Sequence, residues 1–455
     1  MKSLAAQNKL QEAIHIGFGV LTRLGVQCTP SPPDNTVMMK DIMEIKMLLT
    51  KTTDAEILNF REMEDENKMT AMKFLQILAL YAYLGKQQSL PSLVVQMLQL
   101  TLLHGICKES CYGMASFSFL LCQFDDFKAA DHIGRLAVFL LDKCKAEKYR
   151  PGIYMLYYGV VRSWNVHIEQ NLEYLLRGYH VGMQTGTIEN AMNNASCFLM
   201  SSFVCGQNLV ELKREIDWFR KKMIEYKRTI AHVGSVILTL GVFVSNMLIS
   251  NDCPSLIGGQ NIEIKRFLEQ ATEKNDTIAI CHAYMVGCIE AYIFGEYELA
   301  LNMIMKRQEA EKALTRKSLY FGMVDFYDGL VYLAMARKSN DIKWKLEAGR
   351  ALSKLELFVK TGKDNCEHKL LLLQAETNSL MEENDDAFSY YESAIIVAGK
   401  NGYIHEQAIA NERAGDFSLQ KGDPRASGYY GNANILYLQW GAQCKADHLC
   451  KNLPF

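Results

Sequence analysis

An all-α chain, built as an α-solenoid of stacked antiparallel helical hairpins, is the fold this sequence predicts, and three observations predict it. Proline is rare: of 455 residues only 8 are proline, and none lies between Pro151 and Pro254 or between Pro254 and Pro424. The ring that breaks helix interiors is thus kept out of long stretches. Those stretches are dominated by Ala, Leu, Met, Glu, Lys and Gln, which lose least entropy on becoming helical. The third observation is an internal repeat: Ala375, Ala387, Tyr391 and Ala394 recur as Ala414, Ala426, Tyr430 and Ala433, each 39 residues later. Fixed-period similarity marks folds in which each hairpin buries its face against its neighbours.

Taken in order, the polar start Met1–Lys9 opens a helix and lacks the apolar region and cleavage site of a signal peptide. The helix from Leu10 to Leu24 reads as the second member of a hairpin whose first member is missing. A solenoid normally ends in a polar cap. Either the segment from Pro30 folds back as that cap, or the chain is a piece of something longer. Loop insertions are expected near 28–36, where Pro30-Ser31-Pro32-Pro33-Asp34-Asn35 stands, and near 251–261, which holds Pro254, Gly258 and Gly259. Small residues that let helices approach closely are expected at Ser118, Ala130 and Ala137 around a turn at Asp125-Asp126, and at Cys288 and Ala300 around Gly295. The clearest repeats span 366–399 and 404–441, with Ala375, Ala387 and Ala394 in one and Ala414, Ala426 and Ala433 in the other. The whole chain, 1–455, reads as one continuous array. Its spacing resembles a tetratricopeptide repeat lengthened by about a turn beyond the usual ~34 residues. The closing proline is replaced by Gly399 and Leu438.

Composition narrows the function. Lys and Arg number 49 against 51 Asp and Glu, without the basic excess that neutralises phosphates, so a nucleic-acid partner is not expected. The 13 cysteines are odd in number and many lie in apolar runs, such as Cys122, Cys197 and Cys281. That pattern fits buried free thiols in a cytoplasmic protein. From Ile230 to Ile249 no Asp, Glu, Lys or Arg occurs, which is long enough to span a bilayer. Ser235, Thr239 and Asn246 nevertheless form a polar stripe at helical spacing, so a buried helix is the expected reading and a membrane role is not.

Catalytic motifs were sought and not found. Gly85-Lys86, Gly362-Lys363 and Gly399-Lys400 lack the upstream glycine and the Ser/Thr of a phosphate-binding loop. His405-Glu406 starts like a zinc-protease helix, but Ile409 stands where the second ligand belongs. His104, Cys107 and Cys111 would share a helix face without a fourth ligand, and Cys107 with Cys111 has the wrong spacing for a redox pair. Asn190 and Asn194 lack the lid motif of an ATP domain. Tyr154, Tyr157, Tyr158 and Trp164, near Arg150 and Arg162, fit a core better than a stack on bases. No catalytic residue, metal or cofactor is expected.

The run Ala408-Ile409-Ala410-Asn411-Glu412-Arg413-Ala414, followed by Tyr437-Leu438-Gln439-Trp440-Gly441-Ala442 and by Lys445 and His448 up to Pro454, resembles the helical-repeat region of large multidomain predicted-ATPase sensor kinases, serine/threonine and histidine hybrids. Leu10–Val26, Asn171–Ile216 with Gly206-Gln207-Asn208-Leu209, Tyr292–Leu301 and Phe326-Tyr327-Asp328 extend the similarity. In that family kinase-like and ATPase domains precede this region, and GAF and output domains follow it. None of their catalytic motifs occurs here, so no catalytic residue carries over. The resemblance implies a non-catalytic module for protein interaction or regulatory relay in an ATPase or two-component signalling system. Its partner would be a protein or an adjoining kinase or ATPase domain. The docking surface is expected on the first helices of the hairpins, Glu367 to Met381 and His405 to Leu419. The competing reading is an ATP-dependent kinase or ATPase with degenerate motifs.

Overall fold

The computed structural model describes residues 10–26, 34–84, 89–226, 231–249, 262–312 and 322–453. Among them every regular element is a helix, and a single bridge pairs Glu62 with Ile106. The fold is all-α, a solenoid of antiparallel helical hairpins of the tetratricopeptide-like kind. Packing divides the chain into two compact units, the first up to Asn165 with Glu173–Asn194, the second Val166–Leu172 with most of the chain from Ala195 onward.

The first unit holds α1 (Leu10–Arg23), α2 (Asn35–Lys51), α3 (Asp54–Leu58), α4 (Glu66–Leu84), α5 (Leu90–His104), α6 (Lys108–Gln123), α7 (Phe127–Lys143), α8 (Arg150–Leu156) and α9 (Leu172–Gln184), together with the start of α10 (Ile188–Val204). Phe18 and Leu21 of α1, Met72 and Leu75 of α4, and Leu93 and Met97 of α5 share one core. The aromatic run is interior, as its helical spacing predicts. Tyr158 stacks on Tyr174 with ring centres 4.1 Å apart, and Trp164 stacks on Phe127 at 4.3 Å. The Arg162 guanidinium covers the rings of Tyr158 and Tyr174. Asn194 donates to the carbonyls of Pro151 and Asn190, 2.7 Å each, a packing role.

Of the two expected insertions, 28–36 lies outside the described residues except at its end, where the Asp34 carboxylate accepts from the Thr36 N–H and caps α2. The insertion at 251–261 lies wholly outside them.

His104 and Cys107 do not share a helix. Gly105, at φ +103°, ends α5, and the chain turns so that Ile106 donates to Arg61 and Met63 donates to Ile106, each at 2.9 Å. A Cβ on Gly105 would sit 2.4 Å from the Arg61 carbonyl oxygen. Gly105→Ala is therefore expected to cost about 2–4 kcal/mol, through a strained φ and a backbone clash together, read as a lower urea midpoint.

The second unit holds α11 (Leu209–Glu225), α12 (Ala231–Leu248), α13 (Ile262–Glu273), α14 (Thr277–Ile293), α15 (Tyr297–Glu311), α16 (Met323–Ser339), α17 (Ile342–Val359), α18 (Lys363–Leu380), α19 (Asn384–Lys400), α20 (Ile404–Gln420), α21 (Ala426–Trp440) and α22 (Gln443–Asn452). Several of its hairpins close with one device, a residue with positive φ followed by an amide that reaches back five residues. After α14 this is Gly295, with Glu296 donating to Ala291; after α18 it is Glu382, with Glu383 donating to Asn378; after α20 it is Gly422, with Asp423 donating to Ser418. In the first unit Asp125 turns α6 into α7 the same way, through Asp126 to Leu121. The missing repeat proline has the same explanation: Gly402 and Gly441, 39 residues apart, stop α19 and α21 in the left-handed conformation.

The uncharged helix α12 is buried by its own polar stripe. Thr239 Oγ1 meets His282 Nδ1 at 2.9 Å, and Asn246 donates to Glu290 Oε1 at 2.7 Å, both on α14. Among the described residues no helix is long and apolar enough to cross a membrane.

Candidate functional site

Charged side chains enter the interior of the second unit in opposite pairs, and three of these pairs tie the first helix of one hairpin to the next such helix. Arg337 on α16 meets Glu376 on α18, whose other oxygen accepts from Tyr391 at 2.7 Å. Lys369 on α18 lies 2.8 Å from Glu406 on α20. Glu412 on α20 accepts from Lys445 of α22 at 2.7 Å and from Tyr437 at 2.6 Å. Arg307 and Asp328 pair between α15 and α16, and Arg413 pairs with Asp416 while donating to Tyr297 at 3.1 Å.

Burial would push each of these carboxyls up, and the neighbouring cation decides the outcome. Against burial, Arg337 and Arg413 hold Glu376 below the usual carboxylate range. Lys445 and Arg413 do the same for Glu412, and Lys369 with His368 pulls Glu406 far down. At Asp328 burial prevails over Arg307 and the carboxyl is raised to about 6.

The densest rung surrounds Glu406. His368 Nε2 and Lys369 Nζ share its Oε2, and His405 Nε2 stands 3.7 Å from Oε1. Burial, reinforced by Lys369, lowers His368 to about 4. Burial also lowers His405 to about 4, overriding the attraction of Glu406. Both imidazoles are neutral at pH 7. His405 packs on Phe203 and Trp440, and Gly206 leaves room for its ring, since a Cβ there would lie 2.5 Å from Nδ1.

The residues singled out from the sequence lie in this interior or in equivalent packing positions. Ser118, Ala130, Ala137, Cys288, Ala300, Ala375, Ala387, Ala394, Ala414, Ala426 and Ala433 are all buried. Trp440 is buried against Phe243 and His405. Gly441 turns the chain beside Leu209, and Asn208 donates to the Gln439 carbonyl at 2.9 Å. Two stretches far apart in sequence, Gly206–Leu209 and Trp440-Gly441, therefore pack together. Lys445 belongs to the Glu412 rung. His448 sets its ring edge-on to Phe294 and, with Tyr292, Tyr297, Glu412, Arg413 and Lys445, lines a polar recess of about 60 Å³, room for water and little more. Among the described residues no group of three His, Cys, Asp or Glu side chains is placed to hold a metal.

The expected docking surface is not free. On α20 the buried set includes His405, Glu406, Ala408, Ile409, Asn411 and Phe417, and on α18 His368, Lys369, Leu372, Leu373 and Glu376. Other parts of the chain meet them at their starts: Asn365 bonds the backbone of Val166 and Ile168, and His167 meets the Asn401 carbonyl before α20. Sequence reasoning missed the buried rungs. One signal was available, because Arg337 and Glu376 are opposite charges one 39-residue period apart.

No family model matches the chain, and no curated protein sequence does. Solved structures similar to it include two of the quorum sensor NprR. NprR in complex with its cognate peptide NprX is 15% identical, with a TM-score of 0.46 over 80% of this chain and 99% of that one. The apo form of the quorum sensor NprR from B. thuringiensis is also 15% identical, with a TM-score of 0.40 over 81% and 99%.

Proposed function

We propose that this chain is a non-catalytic helical-repeat module that binds a protein partner, or relays regulation to an adjoining domain, in a cytoplasmic signalling system of the ATPase and sensor-kinase type. One observation carries the reading: buried acids and bases such as Arg337 with Glu376, Lys369 with Glu406 and Lys445 with Glu412 neutralise one another between successive hairpins, so their chemistry is spent on holding the stack together. Docking then falls to the second helices, where large apolar side chains face outward: Ile342 and Leu346 on α17, Ile396 on α19, and Ile435 with Leu438 on α21. Pairs such as Ile435 and Leu438, three apart on one helix face, suit a partner helix or peptide.

Crosslinking of the chain in its native cells, followed by identification of the captured protein, is expected to recover a kinase, ATPase or other signalling component. Ile396→Glu with Ile435→Glu is expected to abolish that capture while leaving the helical signal intact. Recovery undiminished by the two changes, or no signalling protein at all, overturns the reading. Calorimetric titration with ATP and magnesium is expected to show no heat of binding; saturable binding would favour the degenerate-enzyme alternative.

A further inference from the structure

We propose that the outer layer of the second unit pairs with a second copy of this chain, α17 of each copy lying along α19 of the other about a two-fold axis parallel to both helices. The inference rests on the reading that the second helices form the docking face. It gives α17 and α19 one occupant and leaves Ile435 and Leu438 of α21 to the signalling partner.

The hairpins form two layers here. The first helices α16, α18 and α20 pack on one another, and each second helix packs on the first helix of its hairpin. The buried side of α17 is Ala348, Ala351 and Leu355, and that of α19 is Ala387, Tyr391, Ala394 and Ala398. On the far side of α17, Ile342 and Leu346 are 66% and 60% exposed and Leu357 39%, while Ile396 of α19 is 64% exposed.

Charge distinguishes the two helices. α17 carries Lys343, Lys345, Arg350 and Lys354 against Glu347 and Glu356, four cations to two acids and a net +2. α19 carries Asp385, Asp386 and Glu392 against Lys400, three acids to one cation and a net −2. Arg350 is paired with Glu347, and Lys354 with Asp325 of α16. Among the described residues Lys345, Asp385 and Asp386 form no ion pair, and Lys343 has only the face of Trp344 at 4.5 Å. The uncompensated charges therefore stand at the starts of both helices, positive on α17 and negative on α19.

The 39-residue period sets the register. Buried Ala336 and Ala348 precede buried Ala375 and Ala387 by 39 residues, so each residue of α17 is level with the one 39 places later. An axis parallel to the helices and midway between them turns α17 onto α19 of the second copy, in the same direction and at the same level. Ile342 then meets Met381, itself 61% exposed, and Leu357 meets Ile396. Lys343 and Lys345 meet the acids Glu382, Asp385 and Asp386. Every contact occurs twice, as an isologous interface requires. An axis across the helices would set α17 on α17 and like charge on like, which is repulsive.

The test is light scattering behind gel filtration on the whole chain over a concentration series. The expected result is a species of twice 51.7 kDa at the upper concentrations. Lys343→Glu with Lys345→Glu, and separately Asp385→Lys with Asp386→Lys, are each expected to weaken self-association by about 10-fold or more with circular dichroism unchanged. Mixing the two variants, one carrying a mass tag, is expected to restore a dimer holding one of each, because both of its α17–α19 contacts again join opposite charges. A wild type that is monomeric throughout, variants that dimerise as wild type does, or a mixture that stays monomeric overturns the proposal. The two readings fail separately. Capture of a signalling protein by a chain that never dimerises sinks this inference alone, and a dimer with no such capture sinks the proposed function alone.

Discussion

Glu406→Ala is expected to lower stability by about 3–5 kcal/mol, because removing one partner of a buried ion pair strands the other in the interior. The stranded group is Lys369, whose side chain is fully buried and, among the described residues, besides Glu406 reaches the Asn365 carbonyl at 2.7 Å, the His368 ring and the face of Tyr403. Urea unfolding followed by circular dichroism measures the loss. Lys369→Met combined with Glu406→Leu is expected to recover much of it, since an apolar pair of similar volume removes both desolvation costs. A single-variant cost below about 1 kcal/mol, the size of an exposed pair, would show that water reaches this rung in solution.

Acid is expected to destabilise the chain well above the range where carboxylates titrate. His368 and His405 are lowered to about 4 in the folded chain, against about 6.5 when unfolded. Between those values the unfolded chain holds more protons, so stability is fully present above about pH 6.5 and drains as pH falls toward 4. At about pH 5 each histidine has lost about 2 kcal/mol, about 4 for the two. Asp328, raised to about 6, acts in the opposite sense and offsets about 1–2 kcal/mol of that at the same pH. The double variant His368→Gln with His405→Gln isolates the effect: its urea midpoint is expected to fall less than that of wild type between about pH 7 and pH 5, by an amount matching the two histidines. Equal slopes for the two proteins would mean that both rings take up protons as readily in the folded state as in the unfolded chain.

The helices were legible in the sequence because proline scarcity and alanine spacing are local signals, and the 39-residue period placed the last two hairpins directly. The polar stripe on α12 was also legible, since Ser235, Thr239 and Asn246 fall on one face whatever they touch. What they touch was not: His282 and Glu290 lie more than forty residues away, and pairing at that range leaves no trace in periodicity. The same limit hid Lys369 with Glu406, and it let His104, Cys107 and Cys111 look like one helix face until Gly105 was seen to turn the chain. The burial of the helices expected to dock a partner was hidden for a related reason. Tetratricopeptide-like spacing suggests an open inner face, but here few side chains along α18 and α20 are exposed, and Val166–Ile168 and Gly206–Leu209 of the same chain meet the starts of these helices.

Modules built on one period have a hazard of their own. Alanines at matching places give successive hairpins similar small-residue packing positions, so a folding chain could dock one of them a full period out of sequence. The ionic rungs discriminate where the alanines cannot. Glu376 needs the arginine of α16, Glu406 the lysine of α18, and Glu412 the lysine of α22, so a skipped or exchanged module would bury charges of the wrong sign beside one another. Assembly fidelity, rather than net stabilisation, is what such a ladder supplies.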